Sequence, residues 1–151
     1  MIRKLTAILL AAVMLAGVTA AAEQDAAPQE VEEREQPFLI RITESDPSTA
    51  YVLVSLNGFV TGLLPLPTEG EYLRTIRQEA ADGSEAVNVL HLTPEGVWME
   101  DANCEGHDCI EEGIVTLENR EERLLLNWIV CLPHQLLLEL VTREEAQSFG
   151  F

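Results

Sequence analysis

Short runs in which apolar and polar residues alternate recur along this chain, and a period of two is typical of strands with one buried face. The first run is PFLIRIT, residues 37–43, in which Phe38, Ile40 and Ile42 alternate with the other side chains. We expect the ordered part of the chain to begin with this strand.

Two β-hairpins are predicted further along. Residues 51–66, YVLVSLNGFVTGLLPL, form two strand-like runs around Asn57-Gly58, a dipeptide that accommodates the positive φ angles of a two-residue hairpin turn. Residues 87–101 predict a second hairpin, with the Pro-Glu-Gly sequence at 94–96 forming its turn.

The remaining runs complete a mainly β pattern. Residues 71–78 fit either a strand or a short helix, and a short terminal helix is predicted at 144–147. Three later runs are strand-like, at 113–118, 127–133 and 135–141, although the leucine-rich segments 123–128 and 134–149 also fit helices. Many short strands separated by turn residues favour a small β-sandwich or barrel-like domain.

The amino terminus has the layout of an export signal. Arg3 and Lys4 precede an apolar stretch, Leu5–Val18, and the small residues at 20–22 offer a signal-peptidase site. We therefore expect a signal peptide over 1–22, with an uncleaved anchor as the alternative and as the only membrane attachment. Either alternative predicts a secreted or otherwise extracytoplasmic protein of the cell envelope.

Composition divides the rest of the chain into three parts. Residues 23–36 are acidic and lack aromatic side chains, so they predict a disordered linker. The β-domain is expected over 37–143, followed by a short tail at 144–151.

The net charge excludes one class of partner. The chain has 9 basic and 26 acidic residues, a formal charge of −17. Loss of Arg3 and Lys4 with a signal peptide leaves 7 basic residues and a charge of −19. A surface this negative repels phosphate backbones, so nucleic-acid binding is not expected.

Two short segments, NCEGHDC and CLPH, contain all three cysteines of the chain. Cys104, Cys109, Cys131 and His134 supply the ligand types of a structural zinc site, which is the weaker alternative because the first pair is widely spaced. In an exported chain a disulfide is the stronger interpretation, but three single pairings are possible and the sequence does not choose among them. A thiol-redox pair is also open, although among the local groups only His107 opposes the acidic residues that surround the cysteines.

No pattern of catalytic residues accompanies these cysteines. The sequence has no Gly-x-Ser-x-Gly motif and no glycine-rich phosphate loop. His91 is interpreted as an ordinary strand residue, and Trp98 and Trp128 are expected to fill the core. We therefore predict no catalytic residues, no cofactor and no enzymatic activity.

Three segments in order resemble the NusG domain II family, also called the DUF1312 family: YVLVSLNGFVTGLLPL, NVLHLTPEGVWMEDANCEGHDCIEEGIV and WIVCLPHQLLLEL. The resemblance covers residues 37–142 and implies a compact all-β domain. The positions that match the family motif are Cys104, Cys109, Cys131, Leu132 and Pro133, with turn glycines at Gly58, Gly96 and Gly113. Glu105 stands where the family usually has proline, and the family accepts asparagine as well as histidine at position 134.

Together these features predict a non-enzymatic binding or accessory module of the bacterial envelope, whose partner is an unidentified envelope protein or none. Two alternatives remain open: an extracytoplasmic thiol-redox or electron-transfer protein that uses the cysteines, and a small structural metal-binding domain. The sequence does not fix the oligomeric state.

Overall fold

Two β-sheets pack against each other in the computed structural model of this chain, which describes residues 32–33, 41–80 and 82–151. One sheet has the strand order β1-β4-β5-β6-β7 and the other the order β3-β2-β9-β8. Neighbouring strands are antiparallel except for β1 and β4, which are parallel. The elements are β1 Glu32–Glu33, β2 Ala50–Leu56, β3 Phe59–Pro65, β4 Tyr72–Glu79, β5 Glu85–Leu92, β6 Gly96–Ala102, α1 Asp108–Glu111, β7 Val115–Thr116, β8 Trp128–Cys131, β9 Leu136–Thr142 and α2 Arg143–Ser148.

The mainly β fold class and the sandwich architecture are confirmed. The core between the sheets combines Val52, Val54, Leu138 and Leu140 of one sheet with residues of the other, such as Leu90. A smaller cluster on the opposite face of β2 and β9 includes Tyr51, Leu53, Leu63, Val141 and Ala146. Because Ala146 belongs to α2, this helix covers the outer face of the sheet.

Both predicted hairpins are confirmed. Leu56 pairs with Phe59 across Asn57 and Gly58, whose φ angles of 53° and 80° are the positive values that a two-residue turn of this type requires. In the second hairpin Leu92 pairs with Val97, and the N–H of Thr93 donates to the carbonyl of Gly96 at 2.9 Å.

The segment that fitted either a strand or a helix is strand β4, with alternating burial along Tyr72–Glu79. The helical alternatives at 123–128 and 134–149 are wrong up to Thr142, the N-cap residue of α2. Residues 123–127 form turns and a bend, and residues 128–131 and 136–142 are strands. The predicted terminal helix at 144–147 is confirmed within α2.

The expected strand at 37–43 is wrong for its described part, 41–43, which has no regular secondary structure, and 37–40 lie outside the described residues. Arg143 supplies the physical reason. Its guanidinium donates to the carbonyls of Thr43, Asp46 and Ser48 at 2.6, 2.8 and 2.9 Å, so a side chain rather than a neighbouring strand satisfies these acceptors.

Two further differences concern short elements. The run at 113–118 forms only the two-residue strand β7, after which the chain turns through 117–127. In the segment predicted as a linker, Glu32 and Glu33 form β1 beside Tyr72 and Leu73 of β4. The remainder of 23–36 and the predicted signal peptide lie outside the described residues.

Gly96 is required for a reason other than its turn. A Cβ at this position would overlap the carbonyl oxygen of Val115, because Gly96 pairs directly with Thr116 of β7. Gly58 has a positive φ but open space around its Cα.

We expect Gly96→Ala to lower the free energy of unfolding by about 3 kcal/mol, since backbone overlap is relieved only by moving β7. Gly58→Ala costs only the strain of the left-handed conformation, about 1 kcal/mol. Chemical denaturation of both variants tests this, and an equal cost at the two sites would contradict it.

A salt bridge fixes α2 to the loop that precedes β8. Arg120 donates through both terminal nitrogens to Glu145, at 2.7 and 3.1 Å. Glu145 also closes a capping box with Thr142 at the start of α2. The hydrogen bonds from Arg120 hold the pKa of Glu145 below its usual value.

We expect Glu145→Gln, which keeps the capping geometry, to cost about 1 kcal/mol at neutral pH, as for a partly exposed ion pair. Because the folded-state pKa is depressed, this stabilisation is present above the unfolded pKa and is lost as the pH falls through the folded one. Unfolding curves of wild type and variant should therefore converge in acid. Glu144→Gln is the matched control, since it removes an exposed charge from the same turn; a difference that persists at low pH would refute the explanation.

Candidate functional site: three buried cysteines and an adjoining cavity

The three cysteines come together from three separate elements. Cys104 follows β6 of the first sheet, Cys109 lies in α1, and Cys131 ends β8 of the second sheet. All three are buried, and their Sγ atoms lie within 4.8 Å of one another. The cluster thus connects the two sheets at one end of the sandwich.

The loop between Cys104 and Cys109 is shaped by two residues with positive φ. Gly106 has a φ of 91° and His107 a φ of 59°, so the backbone reverses immediately before α1. This reversal is formed with Glu105, not proline, after Cys104, and it turns Cys109 back beneath Cys104. The side chain of His107 is exposed.

All three cysteines are free. Sγ of Cys104 and Sγ of Cys109 are 3.6 Å apart, a contact distance between thiols, whereas a disulfide has an S–S distance of about 2.05 Å. The predicted disulfide is not formed in this arrangement and stays a prediction. The geometry does place all three candidate sulfurs in contact range.

Burial keeps two of these thiols protonated. Desolvation is the largest cause that raises the pKa of Cys109, and the neighbouring sulfurs of Cys104 and Cys131 raise it further. Desolvation also raises the pKa of Cys104, although hydrogen bonds from Cys109 and from the backbone N–H of His107 oppose the shift.

A cavity of about 250 Å³ opens beside the cluster, between α1 and β8. Its lining is mostly apolar at the base and carries carboxylates at one side. The lining residues are Cys104, Glu105, Asp108, Cys109, Glu112, Leu125, Val130, Cys131, Leu132 and Pro133. Of the residues that matched the family motif, Leu132 and Pro133 are therefore exposed cavity residues beside Cys131.

Hydrogen bonds from α1 and the following loop hold the cavity walls in place. The carboxylate of Glu112 accepts from the backbone N–H of Val130 at 2.9 Å. Arg123 donates to the carbonyls of Glu112, Leu126 and Trp128, all within 2.9 Å. Burial raises the pKa of Glu112. These contacts link the loop that carries Leu125 to both α1 and β8.

His134 does not join the cysteine cluster. Among the described residues, the set of possible ligand atoms within 4.8 Å of one another contains only the three sulfurs. Nδ1 of His134 instead donates to Oδ1 of the fully buried Asn88 at 2.7 Å, and its backbone carbonyl accepts from Gln78. Burial lowers the pKa of His134. The four-ligand set Cys104, Cys109, Cys131 and His134 is therefore not assembled.

The glycines of the motif have different roles. Gly113 has a φ of 69° and ends the turn after α1, so it positions the chain between the cluster and β7. Gly58 lies in the β2–β3 hairpin and Gly96 at the start of β6, and neither lines the cavity.

Sequence reasoning missed a second polar cluster, centred on His91. This residue is buried, stacks on Trp98 with ring centroids 4.1 Å apart, and contacts Glu71 and Glu100 at 3.0 and 3.2 Å. Nε1 of Trp98 donates to Glu100 at 2.7 Å, and this bond is the main reason for the lowered pKa of Glu100. The alternation of Trp98 and Glu100 along one strand, opposite His91, was the available signal.

The expectation that Trp128 fills the core is wrong. Its side chain is 42 % exposed, because it begins β8 on the face away from the core.

Among the described residues no helix is long and apolar enough to span a membrane.

A likeness to one solved structure supports this architecture. A Listeria innocua protein determined by solution NMR has a TM-score of 0.51 and 20% identity, over 68% of this chain and 82% of the other. A DUF1312 family protein from Enterococcus faecalis V583 has a TM-score of 0.49 and 22% identity, over 63% of this chain and 99% of the other. At these identities the first likeness supports the fold alone.

A comparison with curated proteins found no match. The names of the family and of these relatives state no enzymatic activity. The family model for NusG domain II matches residues 5–144, which includes the apolar stretch upstream of the predicted domain boundary at residue 37. With both hairpins and the three motif cysteines inside the matched range, the chain belongs to the NusG domain II family.

Proposed function

We propose that this protein is a non-enzymatic binding or accessory module that acts outside the cytoplasm, in the bacterial cell envelope. The export-signal pattern at 1–22 supports the location, and the formal charge of −17 argues against an anionic polymer as partner.

The cavity between α1 and β8 is the observation that carries the proposal. Concave sites with an apolar lining and a few polar groups are the usual form of a binding site. Leu132 lines this cavity and is 78 % exposed, and the neighbouring segment also exposes Leu124, Leu126 and Trp128. Of these four residues only Leu132 lines the cavity, and the other three lie within three positions of Leu125, which also lines it. Single exposed apolar residues are ordinary, but a group of them in one segment beside a cavity indicates an interaction surface.

The outer backbone groups of β8 are already bound within the chain, so this strand does not add a second recognition element. Although β8 is the last strand of its sheet among the described residues, the N–H of Val130 donates to Glu112, and the N–H and carbonyl of Trp128 bond to Leu125 and Arg123. We therefore expect a partner to place an apolar side chain in the cavity rather than to extend the sheet along β8. This chemistry favours a neutral or basic protein partner in the envelope.

We expect Leu132→Asp to abolish capture of an envelope partner while leaving the fold intact, since the side chain is already in solvent. Phe59→Asp is the matched control, because Phe59 is 74 % exposed but lies at the β2–β3 hairpin. Cross-linking in native envelope fractions tests the proposal. Equal capture by wild type and both variants, or no capture by wild type, would overturn it.

A second candidate, a thiol-redox protein, is favoured by the 3.6 Å contact between Cys104 and Cys109. Oxidation of this pair to a disulfide would release two electrons and two protons to an acceptor. It ranks second because thiolates perform the exchange, and the raised pKa values of both thiols keep them protonated.

Accordingly, we expect native protein to react with iodoacetamide at neutral pH at least tenfold more slowly than denatured protein, because the thiols are buried and protonated. Mass spectrometry of quenched samples measures the number of alkyl groups over time. A native thiol that reacts as fast as in denatured protein would contradict this ranking and favour the redox candidate.

A further inference from the structure

We infer that the base of the cavity is an open three-thiolate site for a thiophilic divalent metal ion of the Zn²⁺ class, bound by Sγ of Cys104, Cys109 and Cys131. The inference deepens the proposed function, on which it rests in treating the cavity as a binding site. It differs from the structural zinc site suggested by the sequence, because His134 is not a ligand and one coordination position faces the cavity.

The spacing of the sulfurs fits one ion. A zinc–thiolate bond is about 2.3 Å, so sulfurs that share a zinc ion stand roughly 3.7–4.0 Å apart. Cys104 and Cys109 are already 3.6 Å apart, and no pair of the three exceeds 4.8 Å. Closing the cluster around an ion therefore requires movements of about 1 Å or less.

The supporting elements are fixed without the ion. Cys131 lies in a strand that pairs with Leu136, and Cys109 lies in a helical turn. Glu112, at the end of that turn, accepts from the N–H of Val130, so α1 and β8 are already joined. A preorganised set of sulfurs from two sheets loses little conformational entropy when it binds a metal.

Coincidental burial is the competing explanation for each thiol separately, because free cysteine is among the most buried residue types. It does not account for the convergence of all three cysteine sulfurs of the chain on one point from the loop after β6, from α1 and from β8. Nor does it account for an opening to the cavity beside them.

Charge selects the class of ion. Soft thiolate ligands exclude Mg²⁺ and Ca²⁺, which prefer oxygen. Three thiolates carry −3, so a divalent ion leaves −1 and a monovalent ion leaves −2. Because the carboxylates of Glu105, Asp108 and Glu112 also line this cavity, the less negative divalent complex is favoured.

Metal binding at this site conserves charge and protons without an oxidant or a reductant. One divalent ion replaces three thiol protons, which leave to solvent, and no electron is transferred. Three protein ligands leave the fourth position of a tetrahedral ion for water or for a group of a bound partner, which is the arrangement of zinc sites that act on ligands.

Cobalt(II) titration of the reduced full-length chain, kept anaerobic, tests the inference, because Co²⁺ substitutes for Zn²⁺ and reports its ligands by absorption. We expect sulfur-to-cobalt charge-transfer absorption that saturates at one ion per chain and is displaced by Zn²⁺. X-ray absorption of the zinc form should count three sulfur ligands. No charge-transfer band while all three thiols remain titratable, or fewer than three sulfurs, would overturn the site.

Variants separate the three-thiolate site from its alternatives. Cys131→Ser should weaken Co²⁺ binding at least tenfold and reduce the charge-transfer intensity, with folding checked by circular dichroism. His134→Asn should bind Co²⁺ as wild type does; a tenfold loss in this variant would overturn the three-ligand assignment. If Cys131→Ser does not fold, the His134→Asn variant and the sulfur count from X-ray absorption still test the three-thiolate assignment.

Measurement of Co²⁺ binding and of envelope-partner capture in the wild-type protein distinguishes this inference from the proposed function. Metal binding without capture of any partner would support the metal site and overturn the proposed function. Partner capture without metal binding would support the proposed function and overturn the metal site.

Discussion

The pairing of β2 with β9 is the constraint on which the rest of this structure depends. Seven registered pairs, from Ala50 with Thr142 to Leu56 with Leu136, join residues that lie eighty or more positions apart in the sequence. Both faces of these strands are covered, one by the opposing sheet and the other by α2. A slip of one residue would exchange these two faces, so side chains that pack beneath α2, such as Tyr51, would have to fit between the sheets; the packing of each face therefore fixes the register.

This pairing also positions the candidate site. Because β8 pairs with β9, the register of β2 and β9 also sets the position of Cys131 along the sandwich. Cys104 lies just after β6 of the opposing sheet, and α1 positions Cys109 beside the other two cysteines. The cluster is thus a meeting of two sheets rather than a local motif, and the Glu112 and Arg123 hydrogen bonds maintain that meeting.

The buried thiols and the carboxylates that line the cavity, referred to here as the acidic rim, respond to opposite electrostatic effects. Desolvation favours neutral thiols in the cysteine cluster, whereas a bound cation would favour thiolates and offset the surrounding carboxylates. Arg123 donates to the backbone carbonyls of Glu112, Leu126 and Trp128, and its charge only partly opposes the raised pKa of Glu112. A cation is therefore the chemical species whose binding would satisfy the sulfurs and the rim together.

The sequence by itself determined the features that depend on neighbouring residues: the Asn57-Gly58 turn, the period-two strands and the terminal helix at 144–147. Each follows from the local conformational preferences of a few residues, so no distant contact is needed to predict it. The family motif was also recognisable from the sequence alone. The tertiary structure alone decided which groups meet. It placed His134 on Asn88 instead of on a metal, surrounded His91 with two carboxylates, exposed Trp128, and directed Arg143 to the carbonyl of Thr43, the last residue of the run predicted as a strand. Those outcomes depend on the register and packing of strands that are remote in sequence, and the hydrophobic pattern of a single segment carries no information about its partner.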